Sequence, residues 1–466
     1  MNGPFIWIII PAFFSVLFYI FRKNYWLVCL FQTALCFILA LLAVLIKYPA
    51  GGTPSIFGIE ITPSLNFLGR VINLDQSSFR MLLVLNGLLG FWSLSLYIHR
   101  IPSLLVPLGI IFNSFLISAL AVEPFLYSGL ILEIAVLVSV PVMLENNRQE
   151  NEAVLRYLFF FSIGMVLILL AGWYLAGGEI SPVNEEQLIQ ATLILGLGFI
   201  MWLAVFPFHT WIPAVSESLR TVNTFYILIT LPIIIFVLLL KYLNGFSWLR
   251  EYSIIYQALG ILGMILCITG SLWAAFQKDL HRTVGYLFLF SIGLMLSSAG
   301  LNSILGFYLS TYFIYPRIIN FFILAWTIVL LERELQSMNL KTMKSLFYTK
   351  PITASAFIVS VFSIAAMPFT PTFPPTFSLL ELMSQKFPSG LWVLLFSIAI
   401  LSFTFFRLLL IFLTQSDYYI DSNPEDIHEK LFFGVLIIIL IFSGIFPNFF
   451  FSASESIVSG YDFLVQ

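Results

Sequence analysis

Along these 466 residues, apolar runs follow one another with only short polar interruptions. They centre near residues 5–21, 25–46, 79–98, 102–122, 124–144, 153–176, 188–206, 223–241, 253–276, 283–300, 304–331, 352–383, 390–414 and 431–450. A helix needs about 20 mostly apolar residues to cross a bilayer, so each run is a candidate span. The sequence predicts an all-α polytopic membrane protein with about fourteen transmembrane helices. Only 9% of the residues are charged and mean hydropathy is +1.01, against roughly a quarter charged in soluble domains. The surface must therefore face something other than water. Gly and Pro scattered through the runs fit this reading, because neighbouring helices in a membrane re-satisfy freed backbone groups.

The formal net charge of −2 gives no case for nucleic acid. Cys29, Cys36 and Cys267 all lie in apolar runs, and no CxxC pair or Cys/His cluster exists, so neither a metal site nor a bound cofactor is expected in this chain. No nucleophile–base set or phosphate loop is visible, which argues against an enzyme acting alone. The first run lacks a basic leading segment and a small-residue cleavage site and reads as a spanning helix.

Lys and Arg in loops set orientation. Loops after odd-numbered runs carry thirteen of them and loops after even-numbered runs carry six. The odd loops are predicted to be cytoplasmic and both termini to lie outside. The longest outer loop, 47–77, contains Gly51-Gly52 and an alternating Ile-Phe-Gly-Ile-Glu-Ile stretch with room for a hairpin. The stretch 416–430, with Asp417, Asp421, Glu425, Asp426 and Glu429, reads as a solvated connector.

Proline interrupts two runs. Pro207 and Pro213 fall in and after the seventh, and Pro368, Pro371, Pro374 and Pro375 in the twelfth. Proline removes a backbone donor and clashes with the preceding turn. Two interruptions five helices apart point to inverted five-helix repeats with broken helices near an ion path. The predicted division is 1–98 for helices 1–3, 99–245 for the first repeat (helices 4–8), 246–416 for the second (helices 9–13), and 417–466 for helix 14 and the tail. Ordinary proline kinks are the structural alternative.

Each ionisable residue in a span needs a reason, at about 2.5–3.5 kcal/mol on insertion scales. Glu133 lies deep in the fifth run, where a carboxyl can hold and release a proton. His209 follows Pro207 and can relay protons or bond a freed carbonyl. Glu381 follows the second interruption, near the aqueous edge. Arg317 stays charged and is an electrostatic anchor rather than a carrier. Arg407 can pair with a carboxylate or snorkel. Lys241 and Arg156, at run ends, read as interface anchors.

These residues together resemble the antiporter-like, ion-translocating membrane subunits of respiratory complex I, a family shared with Mrp-type cation/proton antiporters and membrane-bound hydrogenases. Pro207, Phe208, His209, Trp211 and Pro213 match the family's Pro-Phe-His-x-Trp-x-Pro. Leu74 to Ser78, Ala153 to Phe159 and Lys278 to Tyr286 are similar to other family segments, and Met367 to Phe377 sits like the family's second break. The resemblance, from about residue 60 to 450, implies a fourteen-helix core with two inverted repeats and broken helices 7 and 12.

It also implies a chain of intramembrane lysines and acids, and here this sequence departs. Glu133 occupies the family's first acidic position. Trp202 stands at the helix-7 lysine position, Pro232 at the helix-8 lysine and Thr376 at the helix-12 lysine or acid. Three central groups that titrate in the family are thus replaced by groups that do not. The expectation is a membrane-arm subunit of a complex-I-type oxidoreductase, with a degenerate proton channel and a largely structural role. FMN, iron–sulfur clusters and quinone would then reside in partner subunits, with other membrane-arm and peripheral subunits and the lipid bilayer around this chain. One alternative is a subunit still moving protons through Glu133, His209 and Glu381. Another is a stand-alone cation/proton antiporter or a membrane scaffold. The expected location is a bacterial cytoplasmic membrane, or else a mitochondrial inner membrane or a thylakoid.

Overall fold

The computed structural model describes residues 2–46, 54–56, 58–67, 69–145, 151–175, 185–335, 337–415, 425–461 and 464. Among these, ten helices are at least 18 residues long and apolar enough to cross a membrane. Four shorter apolar helices accompany them: Phe5–Ile20, Leu105–Ala121, Glu186–Trp202 and Pro351–Ile364. The apolar runs of the sequence fall largely on these helices, except that 352–383 is divided and ends on Phe373–Lys386. The short ones have local causes. Leu105–Ala121 runs into a strand at Val122–Glu123, and the last two are cut by the proline-rich breaks. Lys47, Gly51, Gly52, Arg148, Asp417 and Asp421 lie outside the described residues.

Helix starts follow their capping residues. Asp75 accepts from the Ser78 amide at 2.8 Å and opens Gln76–Ile98. Asp279 accepts from the His281 amide at 2.9 Å and opens Leu280–Ala299. Ser303 accepts from the Gly306 amide at 3.1 Å and opens Ile304–Tyr312.

The described chain forms two compact units. The first comprises Met1–Trp202, Thr230–Arg250 and Ser456–Gln466. Its helices carry two small sheets built mainly from the 47–77 loop, where the sequence leaves room for a hairpin. Ser55–Ile56 pairs antiparallel with Ile59–Glu60, and Ser64–Phe67 with Arg70–Asn73, which pairs in turn with Val122–Glu123. Gly69, at φ +73°, makes the tight turn of the second hairpin, a conformation with little penalty only for glycine. The C-terminal segment belongs to this unit because Gly460 packs on Ser77 and the Tyr461 hydroxyl donates to the Val237 carbonyl at 3.4 Å.

The second unit comprises Leu203–Ile229 and Glu251–Glu455. These units reflect packing, whereas the 99–245 and 246–416 repeats of the sequence reading concern topology. Residues 203–229 fold with the second unit because the Trp211–Ser218 helix seats directly on Leu280–Ala299. Gly285 permits this: a Cβ there would lie 2.4 Å from Ser216 Oγ and 2.9 Å from Pro213 Cα. The Ser216 hydroxyl also donates to the His281 carbonyl at 3.1 Å.

Ser253–Phe276 and Leu280–Ala299 pack through facing small residues, the usual device for close helix approach in lipid. A Cβ on Gly263 would lie 2.4 Å from the Ser297 amide nitrogen. Backbone cannot step aside as a flexible side chain can. Gly263→Ala is therefore expected to destabilise this unit by about 1–3 kcal/mol, the usual cost of overpacking. A thermal unfolding midpoint measured in detergent checks this, and an unchanged midpoint would mean that the two helices separate freely.

Candidate functional site

At the first break, the helix Glu185–Trp202 stops and Leu203–Pro207 is non-helical, with Ala204 at φ +56°. A 3-10 turn, Phe208–Thr210, and the helix Trp211–Ser218 follow. Pro207 has no amide hydrogen to continue the ladder, and the Phe208 amide closes the turn on the Val205 carbonyl at 2.7 Å. His209 is buried with its ring stacked on Phe206 at 5.5 Å and facing Tyr286 at 6.4 Å. Its Nδ1 is buried without a hydrogen-bond partner among the described residues.

Within the first unit, Glu133 lies on Ser128–Met143 and accepts a hydrogen bond from Ser162 Oγ at 2.6 Å. Its other oxygen, Oε2, is buried without a partner. Trp202 is fully buried. Its indole Nε1 donates to the Phe161 carbonyl at 3.0 Å, and its ring stacks on Phe161 and meets Phe199 edge-on. A Cβ on Gly164 would lie 2.3 Å from Trp202 Nε1, so the ring occupies space that only a glycine leaves open. Where the resemblance expects a charged, hydrated side chain, the structure has a close-packed indole.

Lys241 departs from its reading as an interface anchor. It is 5% exposed, near the end of Thr221–Gly245, and its Nζ is 3.0 Å from Asp75 Oδ2. It also donates to the Leu120 carbonyl at 2.6 Å and lies 5.0 Å from the Phe125 ring centre. Asp75 accepts from Ser77 and Ser78 as well. Burial pushes the Asp75 carboxyl upward, but Lys241 and the Ser78 hydrogen bonds outweigh it and hold the group below its ordinary range. Arg156 is solvent-facing and pairs with Glu152 at 3.6 Å, as an anchor would.

In the second unit, the helix Pro351–Ile364 ends and Phe373–Lys386 resumes after a turn with Ala366 at φ +55° and Phe369 at φ +64°. Pro368 is exposed and Pro371 buried, while Pro374 and Pro375 lie in the first turn of the new helix. That position suits proline, because amides there have no intrahelical partner. Gly444 lets the Ile427–Ile445 helix rest on the bared turn: a Cβ there would lie 2.3 Å from the Phe369 carbonyl oxygen. Thr376 is buried and its hydroxyl donates to the Thr372 carbonyl at 2.7 Å.

Glu381 is exposed, so the structure gives it no buried partner set. Arg317 is 2% exposed. Its guanidinium donates to the Phe288 carbonyl at 3.1 Å, to the Leu228 carbonyl at 2.9 Å and to Ser291 Oγ. It lies over the Phe288 and Phe321 rings at 5.3 and 5.4 Å. Arg407 donates to the Ala275 carbonyl, and to the Gln277 carbonyl at 2.8 Å. It thereby caps the end of Ser253–Phe276, a common use of arginine at a helix C-terminus. Pro232 sits inside Thr221–Gly245, and the hydrophobic stretch of that helix is wholly buried. Within this unit His209, Arg317, Glu381 and Arg407 occupy four separate environments.

The sequence reading did not assign two further ion pairs of this unit, each with its basic partner buried. His281 Nε2 lies 2.6 Å from Glu332 Oε1, with Thr221 on the same carboxylate. Lys350, 2% exposed, lies 2.5 Å from Glu334 and 3.6 Å from Glu429. Both pairs staple helices together. Among the described residues no cluster of three His, Cys, Asp or Glu side chains is placed to hold a metal.

Residues 126–403 match the family described as NADH:quinone oxidoreductase/Mrp antiporter, TM. NADH-quinone oxidoreductase subunit N 2 of Syntrophobacter fumaroxidans is 24% identical over 323 residues, which are 66% of this chain and 67% of that relative. The fold superposes on a chain of an archaeal membrane-bound sulfane sulfur reductase with a TM-score of 0.81 at 14% identity, covering 98% of this chain and 96% of the other. On a chain of Thermus thermophilus respiratory complex I the TM-score is 0.79 at 14% identity, with both chains covered in full. The chain is a multi-pass integral membrane protein with the antiporter-like fold.

Proposed function

Because the chain belongs to the NADH:quinone oxidoreductase/Mrp antiporter transmembrane family, we propose that it is a membrane-arm subunit of a complex-I-type assembly whose own proton route is closed. The observation that carries this reading is Trp202. A fully buried indole, fitted against Gly164, stands where the resemblance expects the central lysine. Pro232 and Thr376 stand at the other two positions, and neither side chain can hold and release a proton. The remaining intramembrane cations support packing instead: Lys241 is locked to Asp75, and Arg407 caps a helix end.

On this reading the chain holds no redox group. FMN, iron–sulfur clusters and quinone belong to its partner subunits, and the chain's lipid- and subunit-facing surfaces build the arm. The membrane is a bacterial cytoplasmic membrane with both termini on the outer side, the orientation that the distribution of loop Lys and Arg favours. A tagged chain purified in mild detergent should carry stoichiometric redox subunits with a flavin and iron–sulfur spectrum. A lone chain or homo-oligomer without cofactors would sink the assignment.

One observation favours a second reading, in which the subunit still moves protons: Oε2 of Glu133 is buried without a partner, as an oxygen awaiting a proton or a water would be. Glu133→Gln separates the two. With the route closed, the number of protons moved per electron by the assembled complex stays unchanged. A fall in that ratio with assembly intact would reinstate Glu133 as a carrier.

A further inference from the structure

Beside the second break, a cavity of about 10 Å³ lies among Ser291, Arg317, Asn320 and Thr372, walled by the Phe313 and Phe321 rings. Two polar atoms at this place are buried without a hydrogen-bond partner among the described residues: Arg317 Nε, a donor, and Asn320 Oδ1, an acceptor. Both residues are 2% exposed. Their other polar atoms are engaged. The terminal guanidinium nitrogens hold the Phe288 and Leu228 carbonyls and Ser291 Oγ. Asn320 Nδ2 donates to Thr372 Oγ1 at 3.1 Å, and Thr372 Oγ1 lies 3.3 Å from Ser363 Oγ.

The shape and the polarity select one occupant. A cavity needs roughly 10–15 Å³ to hold a water, and a buried water needs at least two polar partners. A water can accept from Arg317 Nε and donate to Asn320 Oδ1 at once. A small anion would meet one free donor and an opposed carbonyl oxygen. A cation would meet the guanidinium. We propose that one ordered water occupies this cavity and ties Arg317 to Asn320, and through Thr372 and Ser363 to the two ends of the broken helix.

This water is a tie and not a relay. A guanidinium donates hydrogen bonds but has no lone pair to accept a proton, so a hopping chain stops at Arg317. The site itself stands on the side-chain geometry alone; only its role as a tie rests on the closed route proposed above. Arg317 and Asn320 are accordingly positioning residues for the second break.

The test is a cryo-EM structure of the assembled native complex, at a resolution that shows ordered water, prepared once in chloride and once in bromide. One peak is expected within about 2.7–3.2 Å of both Arg317 Nε and Asn320 Oδ1, equal in the two salts. An empty, collapsed cavity overturns the proposal. So does a peak that strengthens in bromide, which would mark an anion neutralising Arg317. Asn320→Leu should abolish the peak and lower the thermal midpoint, while Asn320→Asp should keep the peak; persistence of the peak in the leucine variant also overturns the assignment. A variant that fails to assemble leaves the wild-type density to decide. If the peak is present but Glu133→Gln lowers the proton ratio, the closed route fails and the water site stands.

Discussion

Trp202→Ala is expected to destabilise the first unit by about 3–5 kcal/mol, the range for removing a large buried aromatic. The indole is fully buried, and the Asn151–Leu175 helix meets it with the Phe161 carbonyl and ring and the backbone bared at Gly164, while Phe199 of its own helix meets it edge-on. Gly164 cannot follow the retreating ring, so little of the cavity closes. The loss is a large part of the roughly 5–15 kcal/mol that holds a typical domain together, and the amount of assembled complex should fall accordingly, as native gels and thermal midpoints would record. Trp202→Lys restores the residue type that the resemblance expects. It leaves much of the same void and adds an ammonium to a site otherwise packed with rings and backbone. The expected result is a loss of assembly without a gain in proton movement. Normal assembly with a rise in protons per electron would mean that the rest of the path is intact and that one tryptophan had been closing it.

The contrast between Trp202 and Lys241 marks where sequence reasoning ran out. The resemblance, counted back from Pro207, pointed to Trp202, because the break and its preceding helix are local in sequence. The same holds for the apolar runs and the two breaks, since hydropathy and proline act within a single segment. Lys241 and Asp75 are separated by 165 intervening residues, and each taken alone looks like a helix-end group. Nothing in one sequence pairs them; only the fold, which brings Lys241 to the start of Gln76–Ile98, does so. His281–Glu332 and Lys350–Glu334 escaped for the same reason. Arg407 was placed correctly in a span, but its partners are carbonyls at the end of another helix, and backbone acceptors leave no trace in composition. The 203–229 segment folds with the second unit because of Gly285, one small residue whose meaning appears only when the facing helix is known. Glu381, placed near the aqueous edge by its position after the break, is exposed, and helical rotation decides which side it presents.

Asp75→Asn is expected to cost about 3 kcal/mol, the low end of the range for breaking a buried ion pair. Asparagine is as good an N-cap as aspartate, so the substitution leaves the start of Gln76–Ile98 in place and isolates the charge term. What remains is the Lys241 ammonium, 6% exposed as a side chain, held by the Leu120 carbonyl and the Phe125 ring but stripped of the Asp75 counter-charge. Lys241→Met should cost less. It removes the buried cation, and the Asp75 carboxylate, 29% exposed, keeps its serine donors and some water. The double variant Asp75→Asn/Lys241→Met should be more stable than the sum of the single losses predicts, with a coupling of about 0.5–3 kcal/mol. Additive losses would mean that the two residues act independently. The pH dependence has a definite sign. The folded carboxyl lies below its ordinary value of 3.8, so the pair's contribution is fully present above that value. It fades as pH falls through the lower folded value, because protonation of Asp75 strands Lys241. The wild type should therefore lose stability in strong acid along a slope that Asp75→Asn lacks, while around neutral pH the difference between them should be flat. A slope shared by both proteins would assign the acid sensitivity to groups other than Asp75.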